Sequence, residues 1–297
     1  MKRVITPDTK LIGLFGSPLK QSFSPEMHNK NFKIQDYNCC YIPVDTVKEE
    51  LKEVMDGMRS SNFIGANITK PNKIEVIKYL DDIDEVAEQI GAVNTVKVID
   101  GRLKGYNTDG LGFIKSLEMD NGVKISNHTF FLHGCGGAGR SIAFNLANKG
   151  AKKIILEDTS SEALGLLYMD MKKYGFNMVE MCEENEEPLY KKMKDSTVYI
   201  NATGLGMYPD LEEMPCEISD IKDDLIVCDL TYNPLKTKLL VEAEKKGCKV
   251  INGLGMVIHQ GALAYEIWTT REAPVDTMGE IIKDIVGKEN HREKLGG

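Results

Sequence analysis

Residues 130–141 read FFLHGCGGAGRS, with Gly134, Gly136 and Gly139 at G-x-G-x-x-G spacing and Gly137 as an extra glycine. The short apolar run before them, residues 129–132, has the character of a buried parallel strand. The stretch after them, RSIAFNLANKG, sets Ile142, Ala143 and Leu146 on one helical face and closes at Gly150. A second apolar run, KKIILED, follows. Strand, glycine turn, helix and strand in that order form a dinucleotide-binding unit, and the order separates a working fingerprint from a chance one. The spacing has a physical basis. The first glycine permits the tight turn, the second lets backbone N–H groups approach a pyrophosphate, and the third lets helix and strand pack closely. The anion then rests on the positive end of the helix, where Arg140 could add a direct charge.

Further strands are expected at residues 197–201, 224–230 and 249–251, with the amphipathic LLVEAEKKG closed by Gly247. This half therefore reads as a parallel α/β layer. The acidic run CEENEEP within it reads as a solvated helix end or loop. The first hundred residues form a separate α/β unit. LIGLFG, YIPV and FIGANIT are its strands, and PEMHNKNFKIQ, TVKEELKEVMDGM and KIEVIKYLDDIDEVAEQIG its helices. NTVKVIDG and RLKGYN look like a hairpin, and the boundary falls near TDGLGF.

Composition narrows the function classes. A net charge of −8 leaves no basic footprint for nucleic acid. The longest apolar runs are too short to span a bilayer, and MKRVITPDTK lacks the apolar core of a signal peptide. The seven cysteines are odd in number and show no C-x-x-C spacing, which predicts reduced thiols in a cytoplasmic protein. The five histidines show no metal-ligand pattern, so no metal is expected.

Other constellations are ambiguous one at a time. In GSPLKQSFSPEMHN, Ser22 and Ser24 point the same way from an extended segment, and Ser24 before Pro25 is a candidate helix cap. Two hydroxyls at a helix start suit a carboxylate, yet capping alone would explain them. NITKPNK offers Asn67, Thr69, Lys70 and Lys73 at a strand end, where α/β sites gather and a lysine can act as acid or base. A pair of surface lysines beside a turn is the plain alternative. GAVNT adds Asn94, and GYNTDG adds Asn107 and Asp109, although N-T-D-G is also an ordinary Asx turn.

Taken in order, the motifs remove the ambiguity. S-x-S-P, N-x-T-x-P-x-K, G-A-V-N-T, N-T-D-G, G-x-G-G-A-x-R, D-x-x-Y-N-P and G-x-G-M-x-x-x-Q-G-A together resemble the shikimate dehydrogenase family from about residue 11 to residue 268. The resemblance implies reversible reduction of 3-dehydroshikimate to shikimate with a nicotinamide cofactor, within aromatic (chorismate) biosynthesis. It also implies a two-domain α/β architecture with a central Rossmann-like domain. Residues 1–110 would form the first part of the substrate domain, residues 111–254 the cofactor domain, and residues 255–297 helices returning to the substrate domain. Substrate would bind in the cleft against the N-terminal domain. A small-molecule substrate is the expected partner, on a monomer or homodimer, with no nucleic acid and no membrane.

Carried over onto this sequence, the family pattern makes Lys73 and Asp109 the catalytic pair that grips the reacting hydroxyl. Ser22 and Ser24 would hold the substrate carboxylate, Thr69 and Asn94 the ring hydroxyls, and Gln260 would touch substrate from the returning helix. Gly134, Cys135, Gly136, Gly137 and Ala138 would cradle the cofactor, with Tyr232 and Gly253 near the nicotinamide. Three departures stand out. The histidine common before the first serine is Gln21 here, outside the matched hydroxyls. Pro-Asn-Lys at 71–73 replaces Pro-Phe-Lys and resembles the quinate/shikimate members, while Thr69 keeps the hydroxyl of shikimate-preferring ones. After the second strand, Glu157-Asp158-Thr159 replaces the Asn-Arg-Thr of NADP-preferring members. Two carboxylates there would accept the free 2′-OH of NAD and repel a phosphate, so NAD is expected over NADP. A quinate dehydrogenase working catabolically is the alternative. A non-catalytic nucleotide-binding module would lack the Lys73 and Asp109 pair, and both residues are present.

Overall fold

Runs of buried β-branched and aromatic residues, broken by glycine and aspartate turns, build two six-stranded sheets. The computed structural model describes residues 5–20, 22–182 and 189–295, with side chains to residue 287. The readings made above at the first four residues, at Gln21 and at 183–188 of the acidic run lie outside the described residues. The chain divides into two units, Met1–Thr108 with Ile258–Gly297, and Asp109–Val257.

The first part of unit one runs β1 (Lys10–Gly16), α1 (Ser24–Ile34), β2 (Cys39–Asp45), α2 (Leu51–Arg59), β3 (Phe63–Ile68), β4 (Asp82–Ile83), α3 (Glu85–Ile90), β5 (Thr95–Ile99) and β6 (Arg102–Tyr106). Its sheet is mixed, in the order β2-β1-β3-β5-β6-β4. β1 pairs in parallel with β2 and β3, whereas β5 runs antiparallel to both β3 and β6 as the hairpin reading expects. Phe15, Leu51, Met55, Ile68, Val93 and Leu103 fill one core against this sheet.

Unit two follows with α4 (Asp109–Lys115), β7 (Thr129–His133), α5 (Gly137–Asn148), β8 (Lys153–Glu157), α6 (Ser161–Lys173), β9 (Val179–Met181), α7 (Leu189–Lys192), β10 (Val198–Asn201), β11 (Ile226–Asp229), α8 (Lys238–Lys245) and β12 (Lys249–Ile251). Every strand pair is parallel, in the order β12-β11-β10-β7-β8-β9. That is the doubly wound order, with its switch point between β7 and β10, and such sheets bind ligands beyond the carboxyl ends of the strands there.

Two helices end the chain, α9 (Leu254–Thr269) and α10 (Val275–Leu295). Trp268 on α9 donates its indole N–H to the carbonyl of Val96 on β5 at 3.0 Å. Lys30 on α1 pairs with Asp284 on α10 at 3.3 Å. The C-terminal helices thus complete the N-terminal unit, and the protein is a two-domain α/β chain with a Rossmann-like centre. Among the described residues, no helix is long and apolar enough to cross a membrane.

One expected helix is absent. Residues 73–91 form a 3-10 turn (Glu75–Tyr79), the short strand β4 and the single-turn-and-a-half helix α3. The aspartates break it, because short carboxylates compete with helical hydrogen bonding. Asp81 accepts from the Leu103 backbone N–H at 2.7 Å, and Asp84 caps α3 by accepting from the Val86 N–H at 3.2 Å.

Candidate active site

In unit two the site begins where β7 ends. Gly134 takes φ +106°, a conformation that L side chains rarely adopt, and its N–H donates to the Glu157 carbonyl at 2.8 Å. Gly139 sits so close to this turn that an added Cβ would lie 1.9 Å from the Gly134 carbonyl oxygen. Gly136 and Gly137 differ. Both are exposed, and a Cβ on either would meet nothing within 4 Å. No side chain caps the first turn of α5. Backbone N–H groups at a helix start, beside an open face at the sheet's switch point, are a donor set that fits a phosphate. Gly139→Ala is expected to lower the melting temperature of this unit by several degrees, because overpacking costs about 1–3 kcal/mol. Gly136→Ala should melt like the unsubstituted protein, since its φ of −67° suits alanine. Thermal unfolding of the two variants checks this pair.

The residues flanking the turn are tied to it. The Cys135 N–H donates to Asp158 Oδ2 at 2.6 Å, and the Ser160 N–H donates to Asp158 Oδ1 at 2.8 Å. Burial, with the Asp158 and Glu157 carboxylates adding to it, pushes the Cys135 thiol up to about 12, so it stays protonated and inert at neutral pH. Ala138 is half-buried in the first turn of α5. Arg140 pairs with Asp170 on α6 at 2.7 Å and lies over the Phe144 ring, which fixes its guanidinium on its own unit.

Asp109 starts α4, where the helix dipole favours a negative charge, and it is 9% exposed. The next residue anchors it, since the Gly110 N–H donates to Ser141 Oγ on α5 at 2.8 Å. Tyr232 is half-buried beyond the carboxyl end of β11. Gly253 follows β12, and a Cβ there would lie 1.9 Å from the Leu230 carbonyl oxygen. Buried Asp229 organises these strand ends, accepting from the Thr231 N–H at 2.9 Å, the Thr237 hydroxyl at 2.7 Å and Asn201 Nδ2 at 3.1 Å.

In unit one the polar residues gather at the ends of β1 and β3. Thr69 follows β3 and is held by its N–H to the Phe15 carbonyl at 2.9 Å. The Lys73 carbonyl accepts from the Val93 N–H at 2.8 Å, which sets the lysine beside the segment carrying Asn94. Asn94 is 2% exposed, with Oδ1 accepting from the Thr108 N–H at 2.8 Å and Nδ2 donating to Thr108 Oγ1 at 2.9 Å. Asn72 is fully buried and donates to the Thr46 carbonyl at 2.8 Å, so the Pro-Asn-Lys variant tethers its loop to the end of β2. Ser22 and Ser24 are half-buried at the start of α1. Ser24 occupies the first turn of α1 and Phe23 the cap position, with no side-chain cap; instead the Ser24 N–H donates to Ser22 Oγ at 3.3 Å. Gln260 is half-buried on α9. Ser24, Asn94, Thr69 and Lys73 therefore share unit one with Ser22 and Gln260, whereas Asp109, Tyr232, Gly253 and the glycine turn belong to unit two.

Sequence reasoning passed over Tyr41, Thr95, Thr108, Asp229 and Asn201. Each sits in or beside a strand, where its type reads as ordinary packing or turn chemistry; only the buried hydrogen bonds that each makes, visible in three dimensions, mark them. Among the described residues, no group of three or more His, Cys, Asp or Glu side chains is placed to hold a metal ion.

Comparison with known proteins gives the family. The family model "Shikimate dehydrogenase substrate binding domain" matches residues 14–96, and "Shikimate 5'-dehydrogenase C-terminal domain" matches residues 253–282. A shikimate dehydrogenase (NADP(+)) of Alkaliphilus oremlandii is 46% identical over 279 residues, covering 93% of this chain and 97% of its own. A crystal structure of a shikimate dehydrogenase in complex with NADP+ superposes with a TM-score of 0.87 at 40% identity, over 95% of this chain and 98% of its own. The shikimate 5-dehydrogenase of Listeria monocytogenes, in complex with shikimate and NAD, gives 0.89 at 37% identity, over 95% and 99%. The expectation of NAD over NADP is corrected by these relatives, whose curated members are named for NADP(+). The physical reason lies in Asp158. Its Oδ2 accepts from the Cys135 N–H of the glycine turn and its Oδ1 from the Ser160 N–H of its own loop, so its place after β8 is explained by how the loop is held and is not by itself a sign of NAD.

Proposed function

The chain belongs to the shikimate dehydrogenase family and is an oxidoreductase acting on a CH–OH group; from that premise we propose that it interconverts shikimate and 3-dehydroshikimate with NADP+ and NADPH, in the service of aromatic (chorismate) biosynthesis. The observation that carries the reading is the match along almost the whole chain to relatives named for that activity. The glycine turn supports it by offering backbone donors on an open face at the sheet's switch point.

In this reading Gly134, Cys135, Gly136, Gly137 and Ala138 hold the pyrophosphate, and Tyr232 and Gly253 lie toward the nicotinamide. The bound cofactor supplies the hydride acceptor at C4 of its ring. Ser22 and Ser24 bind the substrate carboxylate, Thr69 and Asn94 orient the ring hydroxyls, and Gln260 adds a polar contact from α9. Lys73 takes the proton from the reacting hydroxyl as its carbon loses hydride, and returns it in the reverse direction. Asp109 provides the second hydrogen-bonding group on that hydroxyl, fixing which oxygen reacts. Proton transfer by a placed side chain contributes about 10²–10⁴-fold, and the remaining acceleration comes from holding substrate and dinucleotide in register.

The test is the initial rate of reduced-nicotinamide formation by purified protein with shikimate, comparing NADP+ with NAD+ at equal concentration. Faster turnover with NADP+ is the expected result. Faster turnover with NAD+ would overturn the cofactor assignment. Activity with quinate and none with shikimate would overturn the substrate.

A further inference from the structure

At the carboxyl ends of β10 and β11 in unit two, a relay of polar side chains has donors and acceptors that fit only one way. Asp229 ends β11 and is 1% exposed, and Asn201, its register partner at the end of β10, is equally buried. The Asp229 carboxylate only accepts, so the Asn201 amide atom 3.1 Å from its Oδ2 is Nδ2. The Thr203 backbone N–H only donates, so the amide atom 3.1 Å from it is Oδ1. Both ends impose the same orientation on the amide. The Thr203 hydroxyl donates to that Oδ1 at 2.7 Å and accepts from the Leu205 N–H at 3.1 Å, and Nδ2 also donates to the Leu205 carbonyl at 3.4 Å. Residues 203–205 are thus latched onto one amide whose direction Asp229 sets.

The latched segment forms one wall of the sheet's switch point. Ala202 and Thr203 lie against the glycine turn: a Cβ added to Gly134 would be 2.6 Å from the Ala202 carbonyl carbon and 2.8 Å from the Thr203 nitrogen. The Ala202 N–H donates to the His133 carbonyl at 2.7 Å, just before that turn. Asp229 reaches the next strand ends as well. Its Oδ1 accepts from the Thr231 N–H at 2.9 Å, and the Thr231 carbonyl accepts from the Gly253 N–H at 3.0 Å. Its Oδ2 also accepts from the Thr237 hydroxyl at 2.7 Å. One buried carboxylate therefore ties together the ends of β10, β11 and β12. In a doubly wound sheet the strand after the glycine helix, here β8, lies at the adenosine ribose, so the other half of a dinucleotide falls to the side of β10, β11 and β12.

We propose that Asp229 and Asn201 are positioning residues: by fixing the Asn201 amide, Asp229 sets residues 202–205 against the glycine turn and so tunes affinity for the nicotinamide half of the dinucleotide. This inference rests on the reading of the glycine turn as a dinucleotide site given above. The relay has a polarity, and the polarity can be reversed. In Asp229→Asn the Thr231 N–H still needs an acceptor, so the new amide keeps its oxygen there and turns its nitrogen toward Asn201. Two NH2 groups then oppose each other. Asn201 relieves this only by turning its own nitrogen onto the Thr203 N–H, which opens the latch. Adding Asn201→Asp restores the match. The carboxylate at 201 accepts from Thr203 and from the amide nitrogen at 229, whose second proton goes to the Thr237 hydroxyl oxygen. The exchange gives up only the contact with the Leu205 carbonyl, the longest of the set at 3.4 Å.

Calorimetric titration without shikimate tests this, using NADP+ and adenosine 2′,5′-bisphosphate, which carries the adenosine half alone. Asp229→Asn is expected to raise the dissociation constant for NADP+ about tenfold to hundredfold, the effect of leaving a buried donor unpaired. The constant for the bisphosphate should stay where it was, and the double variant should bring the NADP+ constant back close to its starting value. Unchanged NADP+ binding in Asp229→Asn, an equal loss for both ligands, or no recovery in the double variant would overturn the proposal, since a purely structural aspartate predicts those outcomes. Amide hydrogen exchange of the ligand-free proteins reads the latch directly. The Thr203 and Leu205 amides should exchange faster in Asp229→Asn and at the original rate in the double variant; equal rates in all three proteins would sink the idea. If Asp229→Asn does not fold, the double variant decides alone. Folded and binding NADP+ normally, it upholds the polarity; unfolded, or folded with NADP+ binding lost, it refutes it. Failure of the unsubstituted protein to bind NADP+ would fault the functional reading in its cofactor, and the same comparison with NAD+ and ADP would then decide the proposal. Binding of neither dinucleotide overturns both.

Discussion

Lys73→Leu is expected to lower kcat for shikimate oxidation by about 10²–10⁴-fold, the range that a placed proton-transfer group contributes. The fold should survive the change. The Lys73 backbone carbonyl, which accepts from the Val93 N–H at 2.8 Å, is untouched by the substitution. The surrounding loop has its own supports, from the Asn72 side chain to the Thr46 carbonyl and from the Thr69 N–H to Phe15. An unchanged melting temperature with collapsed kcat would therefore isolate the chemical role. Dinucleotide affinity should also persist, because the glycine turn lies in the other unit. A fall of less than tenfold in kcat would reassign the proton transfer to another group.

The second large effect concerns acid stability and has nothing to do with turnover. His28 is fully buried on α1, stacked against Tyr41 and Phe32 and edge-on to Trp268, and neither ring nitrogen has a hydrogen-bond partner. Burial alone lowers its pKa to about 3, against an unfolded value near 6.5. The folded state thus holds the neutral ring, and the unfolded state binds the proton first. Stability is complete above about pH 6.5 and is lost progressively as the pH falls toward 3. At pH 4.5 the loss from this residue is about 2–3 kcal/mol, at 1.36 kcal/mol per pKa unit over the two units traversed. His28→Phe removes the titrating group while keeping an aromatic ring in the stack, so its stability should fall much less between pH 7 and pH 4.5. The chain's one tryptophan, Trp268, sits in contact with the histidine, and its fluorescence during denaturation reads this unit. Parallel acid loss in the two proteins would show that carboxylates elsewhere dominate.

The sequence revealed most where a single local rule was in force. The strand, glycine turn and helix around Gly134 were legible because backbone conformation and close approach each demand glycine at fixed spacing, and β7, α5 and β8 follow that reading within about three residues. The parallel strands β10, β11 and β12 were legible as short apolar runs between turns. Periodicity misled at 73–91, where apolar spacing suggested one long helix and the capping preference of Asp81 and Asp84 won instead. For the site, motif order brought out Lys73, Asp109 and the serines, but roles that depend on orientation were hidden. Asp158 pointed to NAD by position, whereas its carboxylate also holds the loop, a duty that position alone does not reveal. Buried Tyr41 donates to Asn67, 26 residues away in sequence, and no local pattern encodes that pairing.

The division of the chain into units has a consequence for synthesis on the ribosome. Unit two is one uninterrupted segment, Asp109–Val257, whereas unit one is written in two pieces. The indole of Trp268 that bonds to Val96 arrives 172 residues after its acceptor, and Lys30 waits still longer for Asp284. Domains commonly complete themselves in the order in which they emerge. Here the middle of the chain can reach its native pairing while the first strands are still without their covering helices. During that interval the apolar surface that α9 and α10 later cover is open to other chains, which makes the nascent N-terminal segment the natural client for a chaperone.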